Sequence, residues 1–490
     1  MSFFREQNAK TAYGAAKSES ETFVTQISAE YGLLGQVLTV NDILASGSNS
    51  VVDDQFTCQS GTDPAGLASI TSLRQINYRS GQGAIARISG KFSLGVALNQ
   101  QLAGLISAEN TFAFGFNQTN FGILHNHGGK TESQELTITT PAAGAETATI
   151  DINGIPITVP LTAGTVQHNA FEISNSLNAQ VNNYNFTSND DQVVAQAVVP
   201  AAQGAFTFSS TGAAVAAWVQ TTIGLSPELD FIAQADWNVD TRLTGNTDSD
   251  PDHVLDPTKG NEYQVQYKWG FGAIKFFIED NRTGDLILVH VIRYANKNII
   301  PSVTNPSFRV GWVTFNFGNT TNITISGAEA DLTVEGAINR STPPRTTANN
   351  QLAVGATLTN IITFRNRINF GGKTNRVDVL PLLMTLSTQS NKSAFFEIRV
   401  NPTFGGDLDF TYIDKDNSII EVATDAVPVS GGRLLGAATV VAASSFPLQF
   451  NTRETIELAA LPGQIFTIAA KVSSGAAADM QATGTSVESI

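Results

Sequence analysis

The chain has 490 residues, only 14% of them charged, and a formal charge of −15 at neutral pH. That length accommodates two to four domains with buried cores, and the acidic balance, with no basic run interleaved with aromatics, excludes nucleic acid as a main partner. Charge this sparse, against a usual share of about 25%, describes a surface of neutral polar groups that packs against copies of itself, and argues against a soluble metabolic enzyme.

At the N-terminus, Met1-Ser-Phe-Phe-Arg-Glu-Gln-Asn8 lacks the apolar core of a secretory signal. Nowhere is there an apolar run of about 18 residues that would insert in a membrane as a helix. The expectation is synthesis in a cytosol, with no membrane insertion. Residues 1–65 read as an arm or anchor: Phe23, Ile27, Tyr31 and Leu34 form one helical stripe over residues 19–34, ended by Gly32 and Gly35. A stripe with so little core of its own predicts docking on a neighbouring subunit or a larger assembly. Cys58 is the only cysteine, so no intrachain disulfide and no cysteine-based zinc site is possible.

From residue 66 the pattern is that of an antiparallel β-sandwich, expected to run to residue 340 around an insert. Phe112, Phe114 and Phe116 alternate with Ala113 and Gly115, which gives an aromatic inward face. Residues 141–226 read as a separate α+β module of order β-β-α-β-β. Its first signal is a hairpin turning on Asn153-Gly154, followed by a helix with Val166, Ala170, Ile173 and Leu177 on one face, then strands over 192–198 and 204–208. The sandwich resumes near Leu229. Tyr263, Val265 and Tyr267 alternate with Gln264, Gln266 and Lys268, as in a strand with one wet face. The run 286–292 is apolar at nearly every position, as in a strand covered on both sides. Residues 341–352, with Pro343-Pro344 at their head, read as a linker. A second β-sandwich is expected over 353–490, with its last ten or so residues frayed. The fold class is therefore mainly β: two antiparallel sandwiches of jelly-roll or lectin-like type, the first carrying a small α+β insert.

Several stretches occurring together give the chain a recognisable likeness. They are Phe121-Gly-Ile-Leu-His-Asn-His-Gly-Gly129, Trp237-Asn-Val-Asp240, Leu255-Asp-Pro-Thr-Lys259, Trp269-Gly-Phe-Gly272 and Val289-His290 with Tyr294-Ala-Asn296. In these, roughly residues 80–340 resemble structural proteins of tailed bacteriophages and large DNA viruses. The resemblance implies a lectin-like or jelly-roll sandwich displayed on a virion as a fibre, adhesin or surface-decoration subunit. It implies no catalytic residue and no cofactor, so a non-enzyme is expected. A host-surface glycan is the ligand that goes with such display. The N-terminal arm itself matches no such protein; its apolar stripe and the sparse charge predict a homo-oligomer, a trimer by viral analogy, with other virion proteins as partners through the arm. The alternative is a carbohydrate-active, tailspike-type hydrolase or a free lectin.

Few residues carry candidate chemistry. His125-Asn-His127 puts two imidazoles on one side of an extended chain, able to bind a transition metal if a symmetry mate or an Asp/Glu completes the shell. Fibrous viral trimers hold axial metal with such a pair, by analogy. Asp248, Asp250 and Asp252 alternate as in a calcium loop, but His253 stands where that loop needs Gly and Lys259 where it needs Glu. A solvated acidic loop is the plainer reading. Asp240 and Asp256 are candidates for the paired carboxylates of a glycosidase, although Asp256-Pro257 also opens a turn. Trp237, Trp269 and Trp312 are candidates to stack on sugars, with the sandwich core as their default place.

Overall fold

The computed structural model describes residues 21–35, 38–77, 82–201, 203–244, 254–303, 305–336, 344–388, 391–442, 444–449, 459–473 and 475–488. The described residues divide into two compact units, one within 1–130 and 226–339, the other within 131–225 and 340–490.

The first unit is a sandwich of two antiparallel sheets. The nine-stranded sheet runs, in spatial order, Leu286–Ile292, Ile274–Glu279, Asn261–Tyr267, Ala84–Phe92, Thr324–Gly327, Gln55–Gln59 and Ser48–Val52. Glu329–Glu335 pairs with Ala84–Phe92, and Glu21–Ser28 pairs in turn with Glu329–Glu335. The eight-stranded sheet runs Glu228–Ala233, Asn120–His127, Thr111–Asn117, Asn99–Ile106, Ser307–Asn316, Leu67–Ser72 and Thr39–Leu44, with Ile76–Asn77 beside Ser307–Asn316. Period-2 alternation sends one face of each strand inward. Phe112, Phe114 and Phe116 therefore meet Tyr263, Tyr267 and Phe276 across the sandwich, with the Phe114 and Tyr263 rings 4.8 Å apart.

Two features of this unit depart from the sequence reading. The helix expected over residues 19–34 is instead the strand Glu21–Ser28 and one 3-10 turn, Ala29–Tyr31. Thr25 and Ile27 point inward, while Phe23 and Tyr31 are exposed. β-Branched residues fit a half-buried pleat better than a helix, and the free edge of Glu329–Glu335 supplies the partner. Residues 21–35 and 38–65 are thus part of the sandwich, not a separate arm; residues 1–20 lie outside the described residues. Secondly, the polar side of Asn261–Tyr267 is not wet. Gln264 accepts from Arg87 Nε at 3.1 Å and Gln266 donates to Glu335 at 2.7 Å, which lets both be buried.

The second unit joins the insert to the C-terminal residues. The insert begins earlier than expected, because Thr131–Thr140 is an inner strand of its four-stranded sheet, between Gln192–Pro200 and Val215–Thr222. A three-stranded sheet built on the Glu146–Ile152/Ile155–Leu161 hairpin and the helix Val166–Gln180 complete it. Asn153 and Gly154 both have positive φ, as the tight turn requires. The C-terminal part packs a four-stranded and a six-stranded sheet around Ile362, Phe396, Ile398, Ile468 and Met480.

The join is polar. Asn369 donates to Gln196 at 2.6 Å and to Ser133 at 3.1 Å, Asp190 N–H donates to the Phe410 carbonyl at 2.9 Å, and Arg365 pairs with Glu421 at 2.6 Å while donating to the Ser188 carbonyl. Two further expectations fail here. The linker 341–352 is in part the strand Arg345–Val354, and the tail expected to fray is Ala478–Glu488, paired on both sides. The first carries Thr and Asn pairs and the second Thr, Ser and Gly, which read as loop by composition. A ladder is held by backbone groups, however, and tolerates such residues once partners flank it.

Candidate functional site

A close-set group of titratable side chains lies at one end of the eight-stranded sheet. Asn120–His127 pairs antiparallel with the edge strand Glu228–Ala233, setting His125 opposite Asp230 and His127 opposite Glu228. Directly opposed residues share a face, and so do residues two apart on one strand. Two imidazoles and two carboxylates therefore crowd one face of a two-stranded ribbon. His127 Nε2 is 3.1 Å from Asp230 Oδ2 and 4.0 Å from Glu228 Oε2, and His125 Nδ1 is 3.8 Å from Asp230 Oδ2. One ligand atom each from His125, His127 and Asp230 fits within 4.8 Å of the others.

The ribbon runs from dry to wet. His125 is 2% exposed and stacked between Phe112 and His127, with Tyr294 edge-on. Asp230 is about half exposed, with 53% of its side chain accessible, and Glu228 is more exposed still. Burial, then the charge of His127, push the His125 imidazole down to about 4 against the opposing pull of Asp230 and a backbone interaction with Ser302. Burial, with Asp230 and Glu228 adding to it, pushes the Tyr294 phenol up to about 12.

The remaining sequence candidates do not join this ribbon. Asp248, Asp250 and Asp252 lie outside the described residues. Trp237 is 5% exposed and packs edge-on against Phe114 and Phe121; Trp312 is fully buried and donates to the Ser89 carbonyl, and Trp269 donates to the Val303 carbonyl. Their faces belong to the core, not to a sugar. Asp240 is buried, accepts from the Arg242 amide at 2.8 Å and sits 4.0 Å from the Arg242 guanidinium. Asp256 accepts from the Thr258 amide and hydroxyl, which hold its carboxyl below the usual range. Both carboxylates tie down turns.

Two groups escaped the sequence reading. The first is a cleft of about 580 Å³ over the nine-stranded sheet, lined among others by Arg87, Glu262, Glu279, Glu329 and Asp331. Burial, then Glu329, Glu279 and Asp331, raise Glu262 to about 7; burial raises Asp331 to about 6 although Arg87 pulls it down. Glu21 grips Arg87 at 2.8 Å. The second group has the outline of a catalytic triad: His168 lies 2.7 Å from both Asp407 and the Thr162 hydroxyl. Thr162 gives its proton to Glu172 at 2.6 Å, however. His168 Nε2 must then donate to Thr162, and it has no lone pair with which to take a proton from it. This group fastens the start of the helix and is not a nucleophile with its base. The alternation Glu228-Leu-Asp230 was visible as sequence, but its pairing with His125 and His127 was not.

No protein-family model matches the chain, and a search of curated proteins finds no match. Among solved structures, a lectin from Bauhinia forficata in complex with GalNAc is similar at 9% identity and a TM-score of 0.21, over 65% of this chain and 99% of the lectin. At that score the likeness carries no argument, and the mainly β fold rests on the sheets described above.

Proposed function

We propose that the chain is a non-catalytic subunit on the exterior of a virus particle, a fibre, adhesin or decoration protein, whose cleft docks a hydroxyl-rich ligand such as a host-surface glycan. The observation that carries the ligand half of this reading is the cleft itself. Glu262, Glu279, Glu329 and Asp331 offer acceptors to sugar hydroxyls and Arg87 offers donors, on a rigid sheet face of suitable size. The virion half rests on the resemblance of residues 80–340 and on the scarcity of charge. In it the protein is made in the host cytosol and assembles as a homotrimer with other virion proteins. Ile43, Leu44 and Val52 support self-association: they are exposed apolar side chains on the end strands of the two sheets, where unpaired backbone invites a neighbour.

The test is a glycan array with the purified chain, its Glu279→Gln and Glu329→Gln variants, and electron microscopy of intact particles. Binding lost in the variants and density for the subunit on the particle surface are expected. No binding by the parent chain, or no such density, refutes the corresponding half. A second reading, glycan hydrolysis, draws on the raised carboxyl of Glu262 beside other carboxylates, the setting of a general acid. Release of new reducing ends by the purified chain would establish it in place of the first.

A further inference from the structure

From the ribbon geometry we infer that His125, His127 and Asp230 form an intrachain site for a first-row divalent cation of the Zn2+ type, with Glu228 placed to supply a fourth ligand. The ion enters through His125 Nδ1, His127 Nε2 and Asp230 Oδ2. With ligand bonds of about 2.0–2.1 Å, tetrahedral coordination sets ligand atoms about 3.3 Å apart. The observed 3.1 Å and 3.8 Å bracket that spacing, and Glu228 at 4.0 Å needs only a rotamer adjustment of an exposed side chain. Two imidazoles with carboxylates suit Zn2+, Co2+, Ni2+ or Cu2+, whereas Mg2+ and Ca2+ prefer oxygen-only shells.

A second, independent observation points to a ligand. His125 is almost wholly buried, its Nε2 meets no hydrogen-bond criterion with a partner among the described residues, and its Nδ1 stops 3.8 Å short of Asp230. The Ser302 backbone also acts on the ring. The gap between a buried Nδ1 and the one carboxylate facing it calls for an explanation, and a cation held between them supplies one, with Nε2 then carrying the ring proton. The exposed carboxylates at the other end give the ion a way in.

The place of the site suggests what it does. The chain leaves the sandwich just after His127, runs through the whole of residues 131–225, and returns at Glu228, opposite His127. Without the ion, Glu228–Ala233 is an edge strand held on one side, at the foot of a very long connection. Closing long connections is where a metal clip has most chain entropy to remove. Here the ion staples the two strands where the insert departs and locks their register, independently of whether the cleft binds glycan.

The test is a Co2+ and Zn2+ titration of the chelator-treated full-length chain, read by the visible d–d bands of Co2+ and by hydrogen exchange. One ion per chain is expected, with slowed exchange confined to Asn120–His127 and Glu228–Ala233. His127→Ala and Asp230→Asn, both at solvent-reachable positions, are each expected to weaken binding about a hundredfold or more, beyond the roughly 10- to 100-fold typical of an outer-shell loss. Glu228→Gln is expected to weaken it about tenfold. The proposal is overturned if the parent chain binds no ion at millimolar concentration. It is equally overturned if both ligand variants keep parental affinity, or if Ca2+ and Mg2+ displace Zn2+ at equal concentration, the mark of diffuse acidic surface.

Discussion

The sandwich and the unit containing the insert reach a packed interior by different chemistry. In the sandwich, ring meets ring: Phe56 against Trp312, Phe114 against Tyr263 and Phe276, Phe92 against Phe116 and Phe121. Its raised carboxyls, Glu262 and Asp331, lie in a cleft, and its paired histidines lie on one ribbon. The other unit has cores mainly of aliphatic side chains with fewer ring contacts, and spends buried polar groups on joining segments far apart in the chain. Glu132, with none of its surface exposed, accepts from the Tyr184 hydroxyl at 2.5 Å, the Gly204 amide at 2.7 Å and the side-chain amides of Gln134 and Gln220. An aromatic core is held by area and shape, which vary smoothly under substitution. A polar anchor is held by the count of satisfied groups, and its removal strands every donor aimed at it.

That contrast is broken most directly at Trp312. Trp312→Ala is expected to lower the stability of the sandwich by about 3–5 kcal/mol through the cavity it leaves, while hydrogen exchange in residues 344–488 is unchanged. A shared loss in both units would show that they unfold as one. Next, Glu132→Ala is expected to cost the insert about 3 kcal/mol by stranding the Tyr184 hydroxyl and the Gly204 amide. Denaturant melts followed at Trp218 check this, and a loss under about 1 kcal/mol would mean the anchor is dispensable. A smaller effect is expected of Asn369→Ala, about 1–2 kcal/mol for two bonds across the join, seen as faster exchange in Gln192–Pro200 with little change in the sandwich.

The smallest effect concerns pH and sharpens the account of where the sandwich keeps its charge. Glu262 titrates near 7 when folded and near 4.5 otherwise, so between these values the folded chain binds more protons and stability falls as pH rises. Asp331 acts alike between 3.8 and about 6. His125 and His290 are pushed down from 6.5 to about 4, burial being the largest cause for each, so they act in the opposite sense, adding stability as pH rises over that window. The parent profile is expected to be nearly flat between pH 4 and 6.5. Glu262→Gln is expected to be more stable than the parent at pH 8, by about 1 kcal/mol after solvent screening, and equal to it at pH 4. Equal stability at both pH values would show that Glu262 is not strained by its neighbours.

Local pattern alone determined the sandwich core, the Asn153-Gly154 hairpin, the helix face of Val166, Ala170, Ile173 and Leu177, and the strand Leu286–Ile292. These depend on periodicity and turn chemistry, which neighbours in the chain suffice to set. The sheathing of Leu286–Ile292 on both sides was legible too, but not its source: Val289 packs into the sandwich core, while Leu288 and Val291 pack with Phe277 and Val239 in a separate small cluster. The three misread segments, Glu21–Ser28, Arg345–Val354 and Ala478–Glu488, have weak or misleading periodicity and are strands because a partner edge was free. For the candidate site, His125 and His127 showed themselves by spacing. Asp230 and Glu228 did not, since their place beside the histidines is set by strand register across the whole insert. Only the tertiary structure decided that pairing, and with it the joining of residues 131–225 to the C-terminal sheets. Contacts between residues more than a hundred positions apart leave no period in the sequence between them.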